Sequence, residues 1–93
     1  MKSDNRQDLA NEIRSIGYSD NVEIAGRSFH VQTDVTTSNN VKVKTIVIEA
    51  GVVLDATVTV DEQVEGDVVA RTRQAAKLQH DRAVAEVRAG KYG

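Results

Sequence analysis

The 93-residue chain contains no cysteine and no proline, and its aromatic side chains number three: Tyr18, Phe29 and Tyr92. Without cysteine there are no disulfides, no thiolate nucleophile and no Cys-ligated zinc or iron–sulfur site. That composition suits a reducing compartment. Without proline no stretch reads as a proline-rich spacer, so short connections within one unit are expected. The scarcity of aromatics leaves Val, Ile, Leu and Ala to build the interior, without the large area that each aromatic ring buries.

Long apolar runs are missing as well. No segment approaches the roughly 20 apolar residues of a membrane span, and the opening stretch MKSDNRQDLANEIRS has no apolar run of signal-peptide length. A cytoplasmic protein without membrane contact is expected. The net charge of −2 speaks against a general nucleic-acid binder. A chain of this length fits one domain, 1–93, with a single core, because domains peak at roughly 100 to 150 residues and short chains have little surface to bury.

Periodicity supplies the elements. Leu9, Ile13 and Ile16 fall on one side of a helix over 4–17, with Ser3 or Asp4 as its cap and Gly17 as its stop. A strand meander follows over 20–60. In NVEIAGRSFHVQTD a two-residue turn at Gly26-Arg27, glycine first as a type II′ turn prefers, sets Ile24 against Phe29 and Val22 against Val31. The polar stretch VTTSNN reads as a solvated loop. In VKVKTIVIEAGVVLDATVTV a turn at Ala50-Gly51 pairs Val47 with Leu54, Thr45 with Ala56, Val43 with Val58 and Val41 with Val60. Lys42, Lys44, Asp55, Thr57 and Thr59 then share the wet face. Ile46, Ile48 and Val53 break that polarity and leave an apolar patch, either a contact surface or a spot covered by the N-terminal helix.

The period changes over 61–90. Thr59 or Asp61 can cap a helix there, Glu62, Glu65 and Asp67 suit its first turns, Arg88 and Lys91 suit its end, and Gly90 stops it. A helix from Glu62 to Ala89 spans roughly 42 Å, or a little less if Gly66 breaks it, against about 30 Å for its strands, and so overhangs the sheet. Val69, Ala76 and Ala83 recur at heptad spacing with Val68, Thr72 and Val87 alongside, a stripe suited to self-association. The expected fold is α+β: a four-stranded antiparallel meander of two hairpins, a short N-terminal helix and a long C-terminal helix crossing the Val41 to Val60 face.

Three clusters invite chemical readings. His30, Gln32 and Asp34 alternate along a strand, and a His–Asp pair can hold a metal or move protons. No second histidine stands near, since His80 belongs to the helix, and no nucleophile motif accompanies the row, so it reads as the wet face of a strand. Asp61, Glu62, Glu65 and Asp67 lack the spacing of a calcium loop and read as helix capping. Arg73, Lys77, Arg88 and Lys91 fall in one helical sector beside His80, a footprint of phosphate-backbone contact, but no helix-turn-helix pair or aromatic stacking platform accompanies them. Gly26, Gly51 and Gly66 are isolated and form no phosphate loop.

The strand residues Gly26, Phe29, His30, Val31, Gln32, Thr33 and Asp34, with Gly51, Val53 and Leu54 in the next hairpin, give the pattern Gly-x-x-[Phe/Tyr]-His-[Val/Ile]-Gln-Thr-[Glu/Asp] followed by Gly-x-[Val/Ile]-Leu. This resembles a small uncharacterised bacterial domain. The resemblance covers roughly residues 20 to 60, with Asp34 where glutamate is more usual. It implies a self-contained β-meander module, with His30 to Asp34 as a peptide or subunit contact. The functional expectation is a non-enzymatic adaptor without cofactor or metal. It would self-associate, or bind another protein, through Val69, Thr72, Ala76, Ala83 and Val87 and through Ile46, Ile48 and Val53. The alternative is a nucleic-acid-associated regulator using the basic stripe.

Overall fold

The computed structural model describes residues 5–37, 40–61 and 66–93. Six elements follow one another: α1 (Asn5–Arg14), β1 (Gly17–Ile24), β2 (Arg27–Thr37), β3 (Val41–Glu49), β4 (Val52–Asp61) and α2 (Val68–Arg88). The strands form one antiparallel sheet in the order β1-β2-β3-β4, so the α+β meander is the observed architecture. The proposed caps Ser3 and Asp4 lie outside the described residues, as do Ser38 and Asn39 of the predicted loop, and β2 runs on to Thr37 through what was read as that loop's start.

Both hairpins turn on the same dipeptide. Ala25 and Gly26 have φ of 52° and 80°, and Ala50 and Gly51 have φ of 52° and 79°, two successive left-handed residues as a type I′ turn requires. The first turn therefore sits one residue earlier than the Gly26-Arg27 turn expected from sequence. Val22 pairs with Phe29 and Ile24 with Arg27. A shift of the turn by one residue changes each pairing by two, so the apolar face survives the correction.

The second hairpin differs more deeply. Glu49 pairs with Val52 and Ile48 with Val53, but Val47 then pairs with Asp55. Leu54 is the extra residue of a β-bulge, and one extra residue exchanges the two faces of everything beyond it. Thr45 lies opposite Thr57, Val43 opposite Thr59 and Lys44 opposite Val58. Hence Asp55, Thr57 and Thr59 point to the core side, and Val58 and Val60 to the other, reversing the sequence-based assignment.

Helix α2 is 21 residues long, about 31 Å, and the nine residues of β3 span about 30 Å. The expected overhang is absent because the helix starts after Gly66, whose φ of 81° suits glycine. Asp67, rather than Thr59 or Asp61, is the N-cap, accepting from the Ala70 amide at 3.0 Å. Glu62 and Glu65 lie outside the described residues. The helix ends at Gly90 as predicted: the Gly90 amide donates to the Val87 carbonyl and the Lys91 amide to that of Glu86, both at 3.0 Å, a Schellman closure.

Both helices pack on one side of the sheet. Ile13 and Ile16 at the end of α1 join Val35, Val43, Val68, Val69 and Ala76 in one apolar cluster, while Phe29, Val22, Val31 and Val47 meet Val84 and Val87 in a second. Each fully buried valine or isoleucine contributes roughly 1.5–3 kcal/mol. The stripe proposed for self-association is thus largely occupied within the chain: Val69, Thr72, Ala76 and Val87 are buried and Ala83 packs against the second cluster. Nor does α1 cover the Ile46, Ile48 and Val53 patch, because it lies on the opposite side of the sheet.

Candidate functional site

Between the two apolar clusters runs a seam of polar side chains that crosses all four strands. His80 of α2 is 1% exposed; its Nε2 lies 2.7 Å from Asp20 Oδ2 on β1 and its Nδ1 2.8 Å from Thr33 Oγ1 on β2. Thr33 Oγ1 is 2.7 Å from Thr45 Oγ1 on β3. Gln79 Nε2 donates to Thr45 Oγ1 at 3.0 Å, and Thr59 Oγ1 on β4 donates to Gln79 Oε1 at 2.6 Å. One donor order satisfies the whole chain for a neutral imidazole: Gln79 gives to Thr45, Thr45 to Thr33 and Thr33 to Nδ1, while Nε2–H gives to the Asp20 carboxylate.

Thr33, His80 and Asp20 reproduce the hydroxyl–imidazole–carboxylate order of a nucleophilic triad. Thr33, however, has 0% of its surface exposed, so its hydroxyl is closed to any substrate. The seam is a fully satisfied network that specifies how helix and sheet align. The sequence sets His80 beside the basic residues and does not reveal its partners; the available signal is Thr33 and Thr45 at core positions otherwise filled by valine and Phe29.

At the C-terminal end of α2 a second polar group fastens the helix to the sheet. Arg27 holds Glu49 in a bidentate pair at 2.7 and 2.6 Å, donates to the Tyr92 carbonyl at 2.8 Å and lies 4.9 Å from the centre of the Phe29 ring. The Tyr92 hydroxyl donates to Asp55 Oδ2 at 2.9 Å and Lys91 reaches the same oxygen at 3.2 Å. The tyrosine hydroxyl, then the lysine, holds the Asp55 carboxyl below the ordinary range, and Arg27 does the same for Glu49. Burial first, and then Asp55, pushes the Tyr92 phenol up.

Of the basic residues predicted to share one sector, Arg73, Lys77 and Arg88 keep it and Lys91 departs. Lys91 follows the helix and joins Asp55 and Glu86 on the β4 flank, whereas Arg88 lines a hollow with Asp20 of β1 on the other flank. Lys77 pairs with Asp81 at 2.7 Å, Arg73 is exposed, and His80 is buried away from all of them. Arg71, one of the helix's other basic residues, bonds Asp61 at 2.8 Å. Among the described residues no three His, Asp or Glu side chains gather as metal ligands, and no helix is long and apolar enough to cross a membrane.

The face of the sheet away from the helices divides into two halves. On β2, His30 bonds Asn21 at 2.8 Å and Ser19 at 3.2 Å, and Gln32 donates to Asp34 at 2.8 Å, so the FHVQTD row is a polar strand face as the sequence suggested. On β3 and β4 the same face is apolar toward the hairpin turn, while Lys44 and Lys42 stand beside Val58 and Val60 toward the other end. Ile48 beside Val53 and Ile46 beside Ala56 continue into Val58 and Val60, with Val53 55%, Val58 52% and Val60 44% exposed. The structure thus brings Ile46, Ile48 and Val53 together with His30, Gln32 and Asp34 on one face and separates all six from the α2 stripe. On the helix side, Thr57, Thr59, Leu78, Gln79 and Arg82 line a groove of about 340 Å³ between α2 and β4. No protein-family profile, curated protein or solved structure matches this chain.

Proposed function

We propose that the protein is a non-enzymatic interaction module that self-associates through the outer face of β3 and β4. The observation that supports this reading is the reversed pattern of β4. Its polar residues turn inward to partners on α2 and beyond, Asp55 to Lys91 and Tyr92, Thr59 to Gln79 and Asp61 to Arg71. Its valines turn outward, Val53 beside Ile48 and Val58 and Val60 beside the stems of Lys44 and Lys42. β4 has no buried residue, and a strand that leaves its valines in water gains from a second surface that covers them. Burial of the helical stripe leaves this sheet face as the surface for association. Lys91 leaves the stripe on which the nucleic-acid alternative rests, while Arg73, Lys77 and Arg88 keep one sector of α2.

Sedimentation velocity across a concentration series tests the reading. An assembled species is expected for the native chain, dispersed to monomer by Val58→Lys with the circular dichroism of the fold retained, since Val58 touches no core cluster. A native chain that stays monomeric at the highest concentrations attainable would overturn it.

A further inference from the structure

The two rims of the sheet are unlike. β1, GYSDNVEI, carries Ser19, Asp20, Asn21 and Glu23, the polar and charged residues that discourage strand addition. β4, VVLDATVTVD, is ten residues long, without proline or lysine. Its only charges, Asp55 and Asp61, are held on the helix side by Lys91, Tyr92 and Arg71. A rim of that length and composition is a template for another strand.

We infer that the occupant is β4 of a second copy, paired antiparallel about a twofold axis that passes through Thr57, so that two four-stranded sheets become one of eight strands. The inference rests on the self-association reading above and specifies its mode. The reasoning is one of face and charge. Antiparallel neighbours share a face, so β4 matches its own copy only in registers whose axis passes through a residue, not between two. With the axis at Val58, Asp55 would stand opposite Asp61 of the copy, a like-charge pair on the helix side. With the axis at Thr57, Asp55 faces Thr59 and Ala56 faces Val58 on matching faces, and Asp61 stands opposite Val53 beyond the bulge rather than opposite a second carboxylate. The outward valines of both copies then merge into one strip. Pairing of β4 with β1 of another copy would instead be head-to-tail and unclosed.

The chain is free of cysteine, so a single introduced thiol reports its own neighbour. Cα separations in antiparallel pairs, about 4.5–5.5 Å, admit a disulfide. Under mild oxidation Thr57→Cys is expected to convert to covalent dimer faster than Val58→Cys, and far faster than Glu23→Cys on the opposite rim. In the native chain, amide exchange along β4 is expected to slow as concentration rises, and by more than that of β1, which makes no contact in the paired rim. A native dimer in which Thr57→Cys links no faster than Glu23→Cys would overturn the paired-rim mode and leave the broader reading standing. Faster linkage at Val58→Cys would overturn the register. Open-ended polymers in place of a dimer would overturn the twofold, and a native monomer would overturn both the mode and the reading it rests on.

Discussion

The Tyr92 hydroxyl and the Asp55 carboxylate meet at 2.9 Å because Leu54 is an extra residue in β4. Without that insertion a regular hairpin would turn Asp55 to the outer face, out of reach of the C-terminal turn. The bulge thus serves a contact made 37 positions away in sequence, and it explains why the polar side of β4 is the side that faces α2.

Acid should loosen this end of the molecule first. Asp55 and Glu49 have folded-state pKa values below their unfolded ones, so their contribution is complete above the ordinary carboxylate range and disappears as pH falls through the folded values. Tyr92 is raised, so its contribution is complete below the ordinary phenol value and disappears as pH climbs through the raised one. Melting temperature plotted against pH should therefore show a neutral plateau with an acid and an alkaline limb. Asp55→Asn should flatten part of the acid limb; an unchanged limb would show that the clasp does not contribute to stability.

Two single-residue deletions should have opposite results. Removing Leu54 leaves a regular ladder in which Val53 and Asp55 keep their partners Ile48 and Val47, so the fold and the Tyr92 contact persist. Removing Ala56 exchanges the faces of Thr57 to Val60, presenting Val58 to the seam and taking Thr59 away from Gln79. Amide spectra are expected to stay native-like for the first deletion and to change throughout β4 and α2 for the second. Equal tolerance of both would contradict the assigned bulge.

Replacing His80 by leucine removes the acceptor for Thr33 and leaves the hydroxyl chain with an unpaired buried donor. A loss of about 1–3 kcal/mol is expected from chemical denaturation at constant m-value. Asp20→Asn, at the exposed end of the chain, should cost less. A larger loss at Asp20 than at His80 would mean that the seam is not organised around the imidazole.

Much of this was legible in the sequence. The order of elements, the strand face carried by His30, Gln32 and Asp34, the turn at Ala50-Gly51 and the stop at Gly90 all follow from periods and from residues with special backbone freedom. The first turn was misplaced because type I′ turns usually announce themselves with Asn-Gly or Asp-Gly, and here both turns use Ala-Gly; the repetition of that dipeptide was the available clue. The bulge was hidden for a different reason. In ATVTVD, valines alternate with threonines and an aspartate, and a rule that sends apolar residues inward chooses the wrong side. Only the positions of Gln79, Lys91 and Tyr92, distant in sequence, reverse that choice. The extent of α2 was overestimated because acidic residues before Gly66 resemble a helix start as well as Asp67 does.

The seam from Asp20 to Thr59 bears on how the molecule breathes. Adjacent strands are joined by their backbones, and through His80 and Gln79 the outermost strands are also joined to each other by side chains. Fraying at one rim removes a partner from a chain that ends at the other, so the rims lose their protection together. Anything that captures β4 will therefore quiet Gly17 to Ile24, three strands away, without touching them.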